Sequence, residues 1–438
     1  MAQNNGTQGR PVYVVDGTRT PFLKTKGKPG AFTAADLAVA CGRPLLLRLN
    51  IDPNCLDEVI LGCAMPGPNE ANIGRVAALR LGISETVPAW TVQRNCASGM
   101  QALDSAFHNI AAGHSNLVLA GGVESMSHAP VLLSLAMVTW LSQWYGAKTF
   151  KDKMGAISRL RLGYFKPIIG LLRGLTDPIV GLNMGQTAEN LAYRFQLSRD
   201  EIDSFAMESH RRLANAQDQQ NLDEIITLYD REGKVYAQDD GLRRDTDMVK
   251  LAKLKPVFDR GFGKITAGNS AQVTDGAAWL LLASESAVKK YKLPMLGQII
   301  DSQWAGLDPA HMGLGPAHAM APLLKRHQLT PKDIDFWEIN EAFAAQVLAC
   351  MKAWQDDDYC KKYLGFDKAI GVIDHSKLNV DGGGISLGHP VGASGARIVL
   401  HLLTILRRHR AKQGIASLCI GGGQGGAMLI QASQGPSP

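Results

Sequence analysis

Two thiols, an imidazole and an amide stand at the same kind of place in this chain. Each lies where an apolar run meets a glycine-rich turn or the start of a helix-patterned segment. Cys96 lies in QRNCASGMQAL, just before an apolar stripe at helical spacing (Met100, Leu103, Phe107, Ile110, Ala111). Asn340 ends FWEIN and precedes EAFAAQVL, His389 lies in SLGHPVGASG, and Cys419 stands one residue before GGGQGG. A helix start favours the thiolate, and a thiolate with an imidazole nearby is a nucleophile for acyl transfer. Asn and His can hold a water or an oxyanion, and glycine amides add backbone donors. A second thiol, with an ordinary pKa of about 8.5, suits proton transfer at a carbon next to a thioester. Singly, each residue has a plainer reading as a core thiol, a cap or a structural polar group. Their conjunction points to chemistry.

The elements that must position these residues alternate. PVYVVDGTRTPF reads as a buried strand and turn, residues 33–49 as a helix capped near Thr33, and DEVILGCAM as a strand. NIGRVAALRLGI is a helix, AWTVQRNC leads into the Cys96 helix, and NLVLAGGVES leaves it as a strand. The second half repeats this order: DIDFWEIN runs into a helix, GHPVGASGARIVLHLLTILRRHR is a turn opening an amphipathic helix, and IASLCIGGGQGGAMLIQA is two strands around glycines. Ala97-Ser98-Gly99 and Ala393-Ser394-Gly395 each open a helix, and the strand after each ends in Gly-Gly (Gly121-Gly122, Gly421-Gly422). The shared order predicts an α/β fold built from a duplicated core.

The glycines do not bind a nucleotide. No helix and no acidic residue follow IGGGQGG, so the dinucleotide fingerprint fails in context. Net charge +6 is mild, and no nucleic-acid signature accompanies it. Seven cysteines without a CxxC pair argue against a disulfide framework and a structural zinc site. The N-terminal MAQNNGTQGRPVYVV lacks the pattern of a secretory signal, and reduced cytosol is the expected compartment.

Between the halves, residues 129–147 carry no charge, whereas residues 148–173 carry seven Lys and Arg against Asp152 alone. Nineteen uncharged residues would span a bilayer, but Ser134, Thr139, Ser142, Gln143 and Gly146 make the run too polar. A surface-lying helix with a basic partner segment is expected, touching a membrane or protein partner through Trp140, Trp144 and nearby lysines. A lid or subunit interface is the alternative. Ser198 and Glu201 are spaced as a capping box.

The motifs VVDGTRTPF, NCASGMQAL, NLVLAGGVESMS, NMGQTAENLA, GNSAQVTDGAA, INEAF, GHPVGASG and CIGGGQGGAM occur in order over nearly the whole chain, which resembles the thiolases. The resemblance implies a duplicated five-layered α-β-α-β-α core with an inserted loop domain. It implies an N-terminal half of residues 1–124 and 253–294, a loop domain of 125–252, and a C-terminal half of 295–438. Carried over, Cys96 is the acylated nucleophile, and His389 activates it and helps bind the thioester oxygen. Asn340 holds a water in that same oxyanion hole, and Cys419 is the acid/base at the acetyl-CoA methyl carbon. The amides of Cys96 and Gly421 form a second oxyanion hole. Met184, Ser270 and Ala342 are the implied substrate or CoA contacts. Coenzyme A is a substrate, and no bound cofactor or metal is implied.

Two departures bear on subgroup. Many thiolases read GNASG where this chain reads GNSAQ, with Ala271 at the serine's place and Ser270 before it. Asn183 precedes Met184 where short-chain biosynthetic members commonly carry histidine. Both point away from the acetoacetyl-CoA type, and residues 129–175 with the insertion DDDYCKKYLGFDKAIGVIDHSKLNVDGGG resemble the β subunit of the fatty-acid oxidation trifunctional complex. That resemblance implies a degradative 3-ketoacyl-CoA thiolase, a homodimer or dimer of dimers, and a hydratase/dehydrogenase α subunit as partner. Peripheral contact at the inner membrane face would run through residues 129–175. The alternatives are an acetyl-CoA C-acetyltransferase and an inactive thiolase-like lipid-binding or scaffold protein. A decarboxylating β-ketoacyl synthase is disfavoured by Cys419.

Overall fold

The computed structural model of the protein describes residues 9–433, so residues 1–8 of the segment read for a secretory signal lie outside it. Strand Val12–Arg19 pairs antiparallel with Thr274–Ser284, which pairs antiparallel with Leu117–Ser125; Glu58–Gly62 and Ala89–Val92 add in parallel. The second half repeats this. Gly297–Gly306 pairs antiparallel with Gln424–Ala432, that with Gln413–Ile420, and Phe336–Ile339 adds in parallel. A parallel bridge from Trp337 to Leu378 takes the fifth position. The inner strands are buried on both faces, which is why LVLAGG and AAWLLLA read as continuous apolar runs rather than alternations.

The repeat extends to a defect. The first strand of each half breaks register once, between Val14 and Asp16 and between Ile299 and Asp301. Each aspartate accepts from the next backbone N–H, of Gly17 or Ser302, at 2.8 Å. Each also takes an arginine from an outer helix, Arg48 or Arg326, at 2.7 Å. Bulges re-aim a strand at a chosen point, and matching bulges with matching ion pairs mark a duplicated unit. The two first strands also pair with each other, Val12, Tyr13 and Val14 against Ile299, Gln298 and Gly297, so the sheets join edge to edge.

Helices Ser98–Ala111 and Val391–Arg408 lie between the sheets, sharing one core through Met100, Leu103, Leu400, Leu403, Val118 and Leu418. Helices Ala34–Leu49 and Ile73–Arg80 cover the outside of the first sheet, and Gly315–Arg326 and Ala344–Gln355 that of the second. The layers are therefore α-β-α-β-α. This middle position qualifies one expectation: Val391–Arg408 is amphipathic, but its polar stripe of Ser394, Arg397 and His401 faces buried partners rather than solvent, since every residue from Val391 to Leu403 is buried. A correction concerns the glycine doublets. Gly121 and Gly122 lie inside strand Leu117–Ser125, whereas Gly421 and Gly422 lie in the turn beyond Gln413–Ile420, so they are not equivalent. The Ala-Ser-Gly strings are. A Cβ on Gly99 would stand 2.7 Å from the Gly392 carbonyl oxygen, and one on Gly395 2.5 Å from the Met100 nitrogen. These glycines let the central helices touch backbone to backbone.

Residues 129–175 form two short helices, Leu135–Gly146 and Phe150–Arg159, tied at their base by strands Val131–Leu132 and Ile168–Ile169. Trp140 stacks on Trp144 at 5.9 Å and donates to the Ala156 carbonyl at 2.8 Å, turning both rings to the helix–helix seam. Leu135, Phe150 and Leu162 are 79–91% exposed. Among the described residues no helix is long and apolar enough to cross a membrane. Helix Arg199–Asp218 begins with the Ser198–Glu201 capping box. Buried charges bind this middle region to both halves. Arg19 pairs with Glu224 and Asp239, and His401 with Glu224 and Asp381. Burial opposes charge on His401, but Glu224 and Asp381 push its pKa up to about 10.

Candidate active site

The turn carrying Cys96 is set by the residue before it. Asn95 adopts a left-handed conformation (φ 44°), one that asparagine tolerates better than most residues, and so reverses the chain between strand Ala89–Val92 and helix Ser98–Ala111. Ser98 locks the turn: its hydroxyl donates to the Asn95 carbonyl at 2.7 Å and accepts from the Arg94 N–H at 2.9 Å. Asn95 Nδ2 then donates to the Gly421 carbonyl at 2.7 Å, tying the Cys96 turn of one half to the glycine turn of the other. That second turn links paired residues Ile420 and Gln424 and needs glycine at Gly422 (φ 95°) and Gly423 (φ 77°). A Cβ on Gly421 would lie 3.2 Å from Met184 Sδ, a close approach that the flexible methionine would have to yield to.

Cys96, His389 and Cys419 open on one cavity of about 330 Å³, walled mainly by apolar side chains including Met126, Leu175, Met184, Phe258 and Phe343. The helix-start argument for a resting thiolate at Cys96 does not hold. Burial pushes its thiol above the ordinary value, although the N–H groups of Gly421 and of Cys96 itself pull the other way. Those two amides are the donors of the expected second oxyanion hole. Burial, helped by the Arg397 charge, pushes His389 down to about 4, so its imidazole is neutral. Cys419 is pushed well up by burial, with Cys96 and Cys350 adding to it, and is a protonated thiol. The site therefore rests as two thiols and a neutral base.

His389 is aimed by its neighbours. Gly388 before it sits at φ 110°, and a Cβ there would strike Thr274 at 2.3 Å. The His389 N–H donates to the Gln272 carbonyl at 3.1 Å. Ser394, in the first turn of helix Val391–Arg408, donates to the Pro390 carbonyl at 3.1 Å and lies 2.6 Å from His389 Nδ1. With that hydroxyl proton committed, Nδ1 carries the ring hydrogen and donates to Ser394, which leaves Nε2 as the base.

Asn340 is not on the cavity wall but fully buried behind His389. Its Nδ2 is nearly equidistant from the two ring nitrogens, 3.5 Å from Nδ1 and 3.4 Å from Nε2. Such a contact lies over the ring rather than along the Nε2 lone pair, which stays available. Asn340 Oδ1 has no partner in the protein, as a water-holding amide requires.

The three remaining expected contacts line the same cavity. Met184 starts helix Met184–Arg194, which Asn183 caps. The Ala342 carbonyl accepts from the Ala271 N–H at 2.9 Å. The Ser270 hydroxyl donates to the Thr266 carbonyl at 2.7 Å, so it offers a ligand its lone pairs rather than its proton. Sequence reasoning passed over Asn95 and Ser394, although both stand inside the quoted motifs. The signals were an asparagine before a helix-opening cysteine, and a serine one helical turn past a histidine–proline pair. Among the described residues no cluster of three or more His, Cys, Asp or Glu is placed to hold a metal ion.

Comparison with known proteins agrees with this architecture. The family model described as "Thiolase, N-terminal domain" matches residues 12–286, and "Thiolase, C-terminal domain" matches residues 293–432. The 3-ketoacyl-CoA thiolase of Yersinia pestis (strain Pestoides F) is 36% identical over 429 residues, 97% of each chain. Human mitochondrial 3-ketoacyl-CoA thiolase, solved in complex with CoA, superposes with a TM-score of 0.82 at 36% identity, covering 97% of this chain and 98% of that one. The acetyl-CoA acetyltransferase of Bacillus anthracis gives 0.84 at 37% identity, covering 98% and 100%. With both family domains matched in order and Cys96, Asn340, His389 and Cys419 gathered at one site, the chain belongs to the thiolase family of acyltransferases.

Proposed function

We propose that this thiolase is degradative: it cleaves 3-oxoacyl-CoA with CoA to acetyl-CoA and a shortened acyl-CoA, in fatty-acid β-oxidation. The observation that carries this reading is the apolar cavity onto which Cys96, His389 and Cys419 open, with Leu172 and Leu175 of the inserted segment in its wall. Apolar walls away from the polar groups suit a hydrocarbon tail.

The cycle balances internally. His389 Nε2 takes the Cys96 proton as the sulfur attacks the 3-keto carbon, and the amides of Cys96 and Gly421 hold the developing oxyanion. The C2–C3 bond breaks, and its electron pair passes to an acetyl-CoA enolate whose oxygen is held by protonated His389 and the Asn340 water. Cys419 gives that carbon its proton. A second CoA thiol then returns a proton to Cys419 and attacks the acyl-enzyme, and Cys96 leaves, recovering its proton from His389. A raised thiol pKa at Cys419 fits a donor to carbon, since the proton must stay on sulfur until the enolate forms.

The rival within the family is condensation of two acetyl-CoA molecules. Thiolysis rates across 3-oxoacyl-CoAs from C4 to C16 decide between them. The degradative reading expects kcat/KM to hold or rise with chain length, whereas activity confined to the C4 substrate would sink it.

The outer face of residues 129–175 supports a further reading, peripheral contact with an anionic membrane in a cytoplasmic enzyme. Exposed Leu135, Phe150 and Leu162 share this segment with its lysines and arginines. A hydratase/dehydrogenase subunit is the competing occupant. The free edge of strand Ala89–Val92, at the rim of the sheet, supports the expected homodimer.

A further inference from the structure

Beneath the catalytic groups, strand Phe336–Ile339 and helix Val391–Arg408 face each other across the core. Glu338 and Asn340 are two residues apart on this strand line and point the same way. Glu338 meets Arg397 of the helix at 2.8 Å, and Asn340 meets His389 just before the helix begins. Both ion-pair side chains are essentially inaccessible, at 0% and 1% exposure, yet they share a single hydrogen bond. Glu338 Oε1 and Arg397 Nε have no partner, and neither has Asn340 Oδ1. Three orphan polar atoms thus occur together along one buried seam. Leaving each one dry would forfeit its hydration with nothing in return, and groups buried this deeply are ordinarily satisfied by ordered water. Same-face residues two apart on a strand are separated by about 7 Å, the span of one or two waters.

We propose that Glu338 and Arg397 are positioning residues for the water that Asn340 holds, anchoring the inner end of a short file of waters that begins at the enolate-binding site. The inference rests on the thiolase reading and adds two side chains that touch neither substrate nor Cys96. In this arrangement Glu338 Oε1 accepts from the file, Arg397 Nε donates to it, and Asn340 Oδ1 fixes its outer member beside His389. A water held at both ends has its remaining O–H directed at the enolate oxygen and needs no reorientation as charge develops there. Burial pushes the Glu338 carboxyl up on balance, with Arg397 opposing that rise.

The test separates enolate chemistry from acyl transfer. Exchange of the acetyl-CoA methyl hydrogens with deuterated water requires the enolate site. Exchange of label between acetyl-CoA and free CoA requires only acylation and deacylation of Cys96. The pair Glu338→Leu with Arg397→Met roughly keeps volume and removes both inner anchoring groups, a replacement that buried ion pairs often tolerate. It should slow methyl exchange about ten- to hundred-fold more than label exchange, which also feels the Arg397 charge through His389. The polar neutral pair Glu338→Gln with Arg397→Gln, still able to hold water, should recover most of the methyl exchange. Equal loss of both rates, or methyl exchange unaffected by the apolar pair, would overturn the proposal. Should the apolar pair fail to fold, a high-resolution crystal structure of the wild-type protein decides. Ordered water between Asn340 Oδ1 and Glu338 Oε1 supports the file, and direct protein contacts closing both atoms refute it. Label exchange by the wild-type enzyme is the separate check on the thiolase reading itself.

Discussion

At the scale of single residues, burial decides the resting protonation of this site. It disfavours charge on Cys96, Cys419 and His389 alike, which leaves an uncharged trio until substrate arrives. In the proposed mechanism His389 must present Nε2, and that depends on Ser394 at Nδ1. Ser394→Ala removes the acceptor at Nδ1, so the ring can carry its hydrogen on either nitrogen. We expect kcat to fall by about ten-fold or more with KM little changed, and alkylation of Cys96 by iodoacetamide at neutral pH to slow in parallel. Ser394→Thr keeps the oxygen and should recover both. The four residues proposed to react could be singled out because each stands in a short string with its turn attached. Their protonation could not be read there, since it depends on layers of chain packed around them from both halves.

At the scale of elements, the glycines of NCASG and GASG turn out to serve the helices rather than the substrate. Gly99 and Gly395 each face backbone of the opposite central helix at distances no Cβ can occupy. Gly99→Ala should cost about 3 kcal/mol or more, read as a lowered Tm, because neither backbone can retreat within a packed middle layer. Gly155→Ala is the contrasting case. It lies inside exposed helix Phe150–Arg159 with only the tip of Arg159 within 4 Å, and it should gain up to about 1 kcal/mol. Helix and strand order was readable from periodicity and caps, including Thr33, Ser198 and the strand running into Asn340. The central helix differs from a surface helix because its polar face is buried too, and its Arg397 and His401 find partners that only tertiary structure supplies. The Gly-Gly doublets misled because identical strings can serve a strand interior in one copy and a turn in the other.

At the scale of the molecule, the inserted segment both walls the cavity and presents apolar and basic residues to the outside. The sequence drew attention to Trp140 and Trp144, but these stack against each other. Leu135, Phe150 and Leu162 are among the most exposed apolar side chains of the segment. Replacing these three with serine should abolish co-sedimentation with anionic phospholipid vesicles while thiolysis of a C4 substrate is retained. Unchanged co-sedimentation, or none by the wild-type protein, would favour a subunit or lid role. The duplication was legible from element order, whereas the edge-to-edge joining of the sheets and the paired Asp16 and Asp301 bulges had no sequence signal apart from two unremarkable aspartates. Those two copies also explain why there is one nucleophile and not two. With Ser98 and Ser394 in register, the counterpart of Cys96 is Gly392. Any side chain there would meet the Val123 carbonyl oxygen at 2.2 Å and the Glu124 carboxylate at 2.8 Å. Doubling the fold therefore need not double the chemistry: strand Leu117–Ser125 closes the equivalent position, and in the proposed mechanism the second copy supplies the base, the water and the second thiol to a nucleophile that only the first has room to carry.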